Sequence, residues 1–162
     1  MAPQALRRAA VAHDIRRLAP HDLATMRELN ALFACVFEDS ASYASAPPDD
    51  NYLSRLLGKD SVFALAALRD GSVIGGLVAY ELKKFEQARS EIYIYDLAVS
   101  APHRRQGVAR ALIENLQNLA ATRGTWVIYV QADYGDEPAI ALYTALGQRE
   151  EILHFDIPVP PR

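Results

Sequence analysis

The chain has 162 residues, 51% of them hydrophobic and 23% charged, which is the size and composition of one globular domain with a core of its own. Its 17 Lys and Arg against 20 Asp and Glu leave a formal net charge of -3, so the general basic footprint of a nucleic-acid binder is excluded. The single cysteine, Cys35, rules out an internal disulfide and a multi-cysteine metal cluster, and no apolar run approaches the roughly 18 to 20 residues of a membrane span. A reducing cytosol is the expected compartment.

Residues 1–12 are rich in Ala and Arg and lack the apolar h-region of a secretory leader. They are expected to form a flexible terminus before a single domain over residues 13–162. His13–Leu18 reads as a short strand, and Pro20–Asp22 opens a helix with the stripe Leu23, Met26, Leu29, Phe33, Val36 and Phe37, Cys35 lying on its buried side. Ala41–Asp50, with Pro47 and Pro48, reads as a loop before a short helix over Asn51–Leu57. Ser61–Leu68 and Val73–Leu82 form an antiparallel pair across Arg69-Asp70-Gly71-Ser72, where Asp-Gly is a strong hairpin signal. Glu91–Val99 is a strand whose faces read Tyr93, Tyr95, Leu97, Val99 and Ile92, Ile94, Asp96, Ala98. Both are apolar except at Asp96, the pattern of a strand covered on each side, and a carboxylate there needs a partner or a cleft. A helix over Gly107–Thr122 follows, with the stripe Val108, Leu112, Ile113, Leu116, Leu119 and Ala120. Trp126–Ala132 is a strand, Asp136 caps a helix carrying Pro138 in its first turn, and Gly147 stops it. Gln148–Val159 is expected to be a last short strand. The order of elements describes an α/β (α+β) domain with a mixed sheet.

His103-Arg104-Arg105-Gln106-Gly107-Val108-Ala109 lies between a central strand and the start of a helix. Open amides at a helix N-terminus favour an anion, a glycine lets the backbone come close to a pyrophosphate, and Arg104 and Arg105 add charge. An ordinary basic turn entering a surface helix has the same appearance, and the segment is neither a Walker loop nor a G-x-G-x-x-G fingerprint.

Arg104-x-x-Gly107-x-Ala109 after a strand resembles the acetyl-CoA pyrophosphate loop of the GNAT superfamily of N-acetyltransferases. Glu137-Pro138-Ala139-Ile140-Ala141-Leu142-Tyr143 with Leu146-Gly147 is similar to that superfamily's last motif helix. Lys84–Val99, Val127–Asp136, Tyr52-Leu53 and His154-Phe155-Asp156 further resemble the aminoglycoside 3-N-acetyltransferases of type I. The resemblance implies a mostly antiparallel central sheet flanked by helices. It also implies acetyl transfer from acetyl-CoA, as cosubstrate, to the 3-amino group of gentamicin-type aminoglycosides, with a homodimer; no metal is expected, since the histidines lack ligand spacing. Asp136 where asparagine is common, and Gln148 in place of an aromatic, depart from the superfamily pattern.

The resemblance implies that Arg104, Arg105, Gln106, Gly107, Val108 and Ala109 hold the cosubstrate, with Leu97, Ala98, Val99 and Tyr143 at its thioester. An amine attacking a thioester must shed a proton, and Asp96 is the candidate acceptor, directly or through water; an acid paired with a core arginine or a backbone amide is the plain alternative. A main-chain N–H within Leu97–Val99 would hold the thioester oxygen if pairing with the next strand is broken there. Tyr143 would hydrogen-bond the departing thiolate, unless it is only a core tyrosine.

Asp133, Asp136 and Glu137 crowd a strand-to-helix junction that a polycation would favour, although Asp136 also suits a helix cap and Glu137 the helix dipole. Glu38, Asp39, Asp49, Asp50 and Glu86 are weaker candidates. Cys35 has no local histidine partner, and His13, His21, His103 and His154 lack metal-ligand spacing. A GNAT enzyme acting on a polyamine, peptide or metabolite amine, and a non-catalytic acetyl-CoA sensor, remain alternatives.

Overall fold

The computed structural model describes residues 13–161, so the expected flexible terminus, residues 1–12, lies outside the described residues. The chain forms two compact units, one ending at Gln131 and one beginning at Ala132.

The first unit is built on five strands, β1 (Asp14–Arg17), β2 (Val62–Arg69), β3 (Ser72–Lys83), β4 (Ser90–Val99) and β5 (Thr125–Val130), in spatial order β1-β2-β3-β4-β5. The first four are antiparallel neighbours, and β4 and β5 are parallel. Asp70 and Gly71 close the β2–β3 hairpin with φ of 51° and 79°, the two left-handed residues that a tight right-twisted hairpin demands. The parallel step from β4 to β5 needs a crossover, supplied by a 3-10 turn at Ala101–His103 and a helix over Val108–Ala121. The remaining helices are α1 (Leu23–Val36), α2 (Ser40–Ala44) and α3 (Asp50–Leu57), so the crossover helix is α4.

Two adjacent glycines let helices approach both faces of β3. A Cβ on Gly76 would stand 2.3 Å from Leu29 Cδ1 of α1, and one on Gly75 would stand 3.2 Å from Val108 Cγ1 of α4. Consecutive strand residues face opposite ways, so α1 and α4 cover opposite faces. Met26, Leu29, Phe33, Leu53 and Leu57 pack with Ala64, Ala66, Val78 and Ala98 on the α1 side, while Val108, Leu112 and Leu116 are buried on the other. Each of the Met, Leu, Phe and Val side chains among them contributes about 1.5 to 3 kcal/mol by leaving water.

At one end of β3, buried Glu81 accepts from Arg123 Nη2 at 2.6 Å and Lys83 Nζ at 2.8 Å, and Arg123 also reaches Asp60 at 2.7 Å. Burial alone would raise the Glu81 pKa, but hydrogen bonds from Lys83, Ser90 and Arg123 outweigh it and hold the carboxyl at about 2. The Arg123 and Arg17 guanidinium carbons stand 5.3 and 4.5 Å from the centre of the Phe63 ring.

The second unit contains α5 (Glu137–Thr144), capped by Asp136, whose carboxylate accepts from Ala139 N at 3.2 Å. The amide of Gly147 closes the helix by donating to Tyr143 O at 2.9 Å.

Three expectations are corrected. Part of the predicted 41–50 loop is helical, because Asp39 caps α2 by accepting from Ser42 N at 3.0 Å before the prolines intervene. The expected strand over Gln148–Val159 does not form: a strand needs a partner for its N–H and C=O groups, the described residues of this unit contain no strand, and Ile152, Leu153, Phe155, Ile157 and Val159 are exposed. Cys35 is exposed rather than buried, since the inward stripe of α1 runs through Met26, Leu29 and Phe33. Among the described residues no helix is long and apolar enough to cross a membrane.

Candidate active site

The site begins with an irregularity in β4. Val78 lies opposite Asp96, but its neighbour Ala79 lies opposite Ile94, so Tyr95 is an extra residue in β4. Such a bulge shifts the face alternation by one. The expected grouping of Ile94, Asp96 and Ala98 is therefore corrected: Ile94 shares a face with Leu97 and Val99, and Asp96 shares the α1-side face with Ala98, Val78, Tyr80 and Tyr93. The carboxylate leaves the face covered by α4 and enters a group of tyrosines.

Tyr43 Oη donates to Asp96 Oδ1 at 2.5 Å. Tyr95, which is 63% exposed, sets its ring edgewise to Tyr80 at 6.0 Å and to Tyr93 at 5.7 Å, and Tyr93 stacks on Tyr129 at 4.9 Å. Burial raises the Asp96 pKa, and the Tyr43 hydrogen bond opposes the rise. Burial, followed by the hydrogen bond to Asp96, pushes the Tyr43 phenol well above its ordinary range, so it stays protonated and donates. Burial first, and then charge including that of Asp96, also raises Tyr80 and Tyr93. A partly buried carboxylate among aromatic rings suits an ammonium group, which gains Coulomb attraction and cation–π contact together.

The same stretch of β4 has an open edge. Pairing with β5 ends at Ile94 opposite Val130, so among the described residues Asp96–Val99 have ladder partners on β3 alone and the bulged Tyr95 has none. Along such an edge alternate residues turn their N–H away from the paired strand, so the main chain within Leu97–Val99 meets the condition for holding an oxygen.

Beyond Val99 the chain turns into α4 through Arg105 at φ 59° and Gly107 at φ 82°. No side chain caps α4 and no acidic residue sits in its first turn, so the amides of Val108, Ala109 and Arg110 stay open to an anion. The nearest atom to a Cβ on Gly107 would be His13 Nε2 at 3.8 Å; the left-handed φ, rather than space, calls for glycine.

The polar side chains here divide their work. Arg104 Nε donates to Val99 O at 3.2 Å, joining the loop to the end of β4. Gln106 accepts from Arg69 at 3.1 Å and donates to Pro102 O at 3.0 Å, so its amide braces the loop. Its carbonyl is also met by His13 Nε2 at 2.9 Å. Val108 buries its side chain and has only its backbone to offer. Arg105 has no ion-pair partner among the described residues.

The weaker candidates have structural tasks. Asp39 and Asp49 cap α2 and α3, Asp50 pairs with Arg27 at 2.5 Å, and Glu86 pairs with Arg89 at 3.2 Å. Glu38 makes the turn after α1 with φ 54°. His103 Nδ1 lies 2.7 Å from Ser100 Oγ, and His154 Nε2 lies 3.0 Å from Asp156. Among the described residues, no group of three His, Cys, Asp or Glu side chains could hold a metal ion.

In the second unit Asp133, Asp136 and Glu137 are exposed at the start of α5, with Asp136 acting as its cap. Tyr143 is partly buried on that helix. Burial, and then the charge of Asp136, pushes its phenol up to about 12.

Comparison with known proteins decides what this geometry belongs to. Residues 25–148 match the acetyltransferase (GNAT) family. The chain belongs to the GNAT acetyltransferases. It is similar to the crystal structure of an aminoglycoside acetyltransferase from an uncultured soil metagenomic sample, with 56% identity and a TM-score of 0.90 over 93% of this chain and 100% of that one. A second soil metagenomic aminoglycoside acetyltransferase, solved in complex with sisomicin, is 31% identical with a TM-score of 0.84 over 91% of this chain and 97% of that one. Rat N-acetyltransferase 8 is 23% identical over 145 residues, 73% of this chain. The chain spans 65% and 37% of the lengths of the first two curated relatives that it matches. GNAT acetyltransferases use acetyl-CoA, and the open amides ahead of α4, with Gly107 and Arg105 beside them, fit its diphosphate.

Proposed function

We propose that this chain acetylates the 3-amino group of gentamicin-type aminoglycosides in the cytosol and so confers antibiotic resistance. The observation that carries this reading is Asp96: a partly buried carboxylate among tyrosines, on the strand whose edge opens one residue before it. The likeness to two aminoglycoside acetyltransferases supports the substrate class. The family match runs across the junction at Gln131 and Ala132, which supports one acetyltransferase domain over residues 13–162.

Acetyl-CoA, when bound, supplies an activated acetyl thioester. Arg104, Arg105 and Gly107, with the main chain of Gln106, Val108 and Ala109, hold its diphosphate. Asp96 binds the substrate ammonium and takes its proton, directly or through water, leaving a neutral amine. As the bond between the amine nitrogen and the acetyl carbon forms and the C–S bond breaks, the main chain within Leu97–Val99 holds the carbonyl oxygen, and the nitrogen's remaining surplus proton passes through water to the departing thiolate. Tyr143 donates a hydrogen bond to the sulfur. Full proton transfer from a phenol at about 12 to a thiol near 8.5 would be uphill by about 5 kcal/mol, so the phenol keeps its proton. Asp133, Asp136 and Glu137 attract the polycation, with Asp136 also serving as a cap. Acetylation removes one positive charge from the drug and weakens its hold on RNA phosphates. The apolar segment Ile152–Val159 is the proposed contact of a homodimer.

The test is thiol release from acetyl-CoA by purified protein given gentamicin, sisomicin, fortimicin, spermidine or a peptide amine at equal concentration. Release with the aminoglycosides supports the reading. Release with the peptide alone favours the second one, which draws on a 35% identity over 60 residues to the Escherichia coli ribosomal protein bS18-alanine N-acetyltransferase.

A further inference from the structure

We propose that Tyr43 is a positioning residue for Asp96, engaging Oδ1 so that Oδ2 is the oxygen presented to the amine proton. The inference rests on the reading of Asp96 as proton acceptor and adds a residue from a different element. Sequence patterns give no hint of it, since the two residues are 53 positions apart.

The Tyr43 hydroxyl is placed independently of Asp96. Glu38, at φ 54°, turns the chain back after α1, and Asp39 caps α2. The Tyr43 ring then packs 5.9 Å from both Phe33 and Phe37, which stack on each other at 5.6 Å. These contacts fix the donor before any substrate arrives. Among the described residues Tyr43 is the one hydrogen-bond donor to Asp96, and Oδ2 has none.

The groups facing this carboxylate are Tyr43 from α2, Tyr80 from β3, and Tyr93 and Tyr95 from its own strand, with the charge of Asp39 reaching Tyr43. No cation acts on Asp96 among the described residues. The amine's own charge is therefore the first positive charge that the carboxylate meets. A donor on Oδ1 favours the charged carboxylate, keeping it able to accept a proton despite its burial.

Tyr43→Phe tests this while retaining both ring contacts on α1. With sisomicin, kcat/KM is expected to fall about tenfold, the worth of one hydrogen bond to a charged group, and the acid limb of the pH profile to move to higher pH. In the free protein, the carboxyl carbon resonance of Asp96, assigned with Asp96→Asn, is expected to titrate at higher pH in Tyr43→Phe than in the parent. An unmoved carboxyl midpoint overturns the proposal, as does a lost rate with an unmoved acid limb, which marks Tyr43 as packing alone. If the parent acetylates no amine, the proposed function fails, and the carboxyl titration still decides the role of Tyr43.

Discussion

Replacing Asp96 with Asn separates the chemistry of the site from its effect on stability. The amide has the shape of the carboxylate, and its oxygen still accepts from Tyr43 across the same 2.5 Å contact; only charge and basicity are lost. A positioned proton acceptor contributes about 10²- to 10⁴-fold, so kcat/KM should fall by that factor, about 3 to 5 kcal/mol of barrier. Stability should move the other way. Burial raises the Asp96 pKa above its ordinary 3.8, so between 3.8 and the raised midpoint the folded state holds more protons than the unfolded one. Stability then falls as pH rises through that window, and the full cost is carried at neutral pH. Asp96→Asn is therefore expected to be about 1 kcal/mol more stable at pH 7, with the gain fading as pH falls from the raised midpoint to 3.8 and absent below it. Thiol release and thermal melts at neutral and acid pH measure both effects. A variant within threefold of parental activity, or one that melts lower at pH 7, would refute the reasoning.

Other substitutions probe the remaining parts. Gly107→Ala places a side-chain-bearing residue at φ 82°, a strain of about 1 kcal/mol; steady-state kinetics should show a raised KM for acetyl-CoA with kcat little changed. Tyr143→Phe should lower kcat by about tenfold or less, because the phenol donates a hydrogen bond and keeps its proton; a loss near a thousandfold would contradict that role. Arg123→Met strips Glu81 and Asp60 of their shared partner and should cost about 3 kcal/mol at pH 7 by denaturant unfolding. The Glu81 pKa is depressed from 4.5 to about 2, so its stabilisation is complete above pH 4.5 and lost as pH falls toward 2. The deficit of Arg123→Met should shrink over that same range.

The elements with strong periodicity were legible in the chain. The α4 stripe, the Met26, Leu29 and Phe33 positions of the α1 stripe, the Asp70-Gly71 hairpin and the Asp136 cap all follow from local rules and are placed as those rules require, whereas Phe37, expected on the α1 stripe, lies past the helix end and is exposed. The company of Asp96 was not legible, because strict alternation along β4 groups it with Ile92 and Ile94 instead of Tyr93, and the extra residue, Tyr95, appears only once Val78 and Ala79 supply the register. The short helix α2 was hidden by the weak helix formers Ser and Tyr and by the prolines that follow. Tyr43 went unseen for a different reason: its link to Asp96 is tertiary. Gln106 and Arg104 matched a loop motif, but their side chains also brace the turn. The alternating apolar residues after Gly147 read as a strand because sequence reports propensity and not the presence of a pairing partner.

Locating the acetyl group on the product is the most direct measurement. Purified protein, acetyl-CoA and sisomicin should yield a singly acetylated drug whose NMR spectrum shows the amide at the 3-amino position of the aminocyclitol ring. Acetylation at another ring amine, or an unmodified drug beside intact acetyl-CoA, would contradict the account.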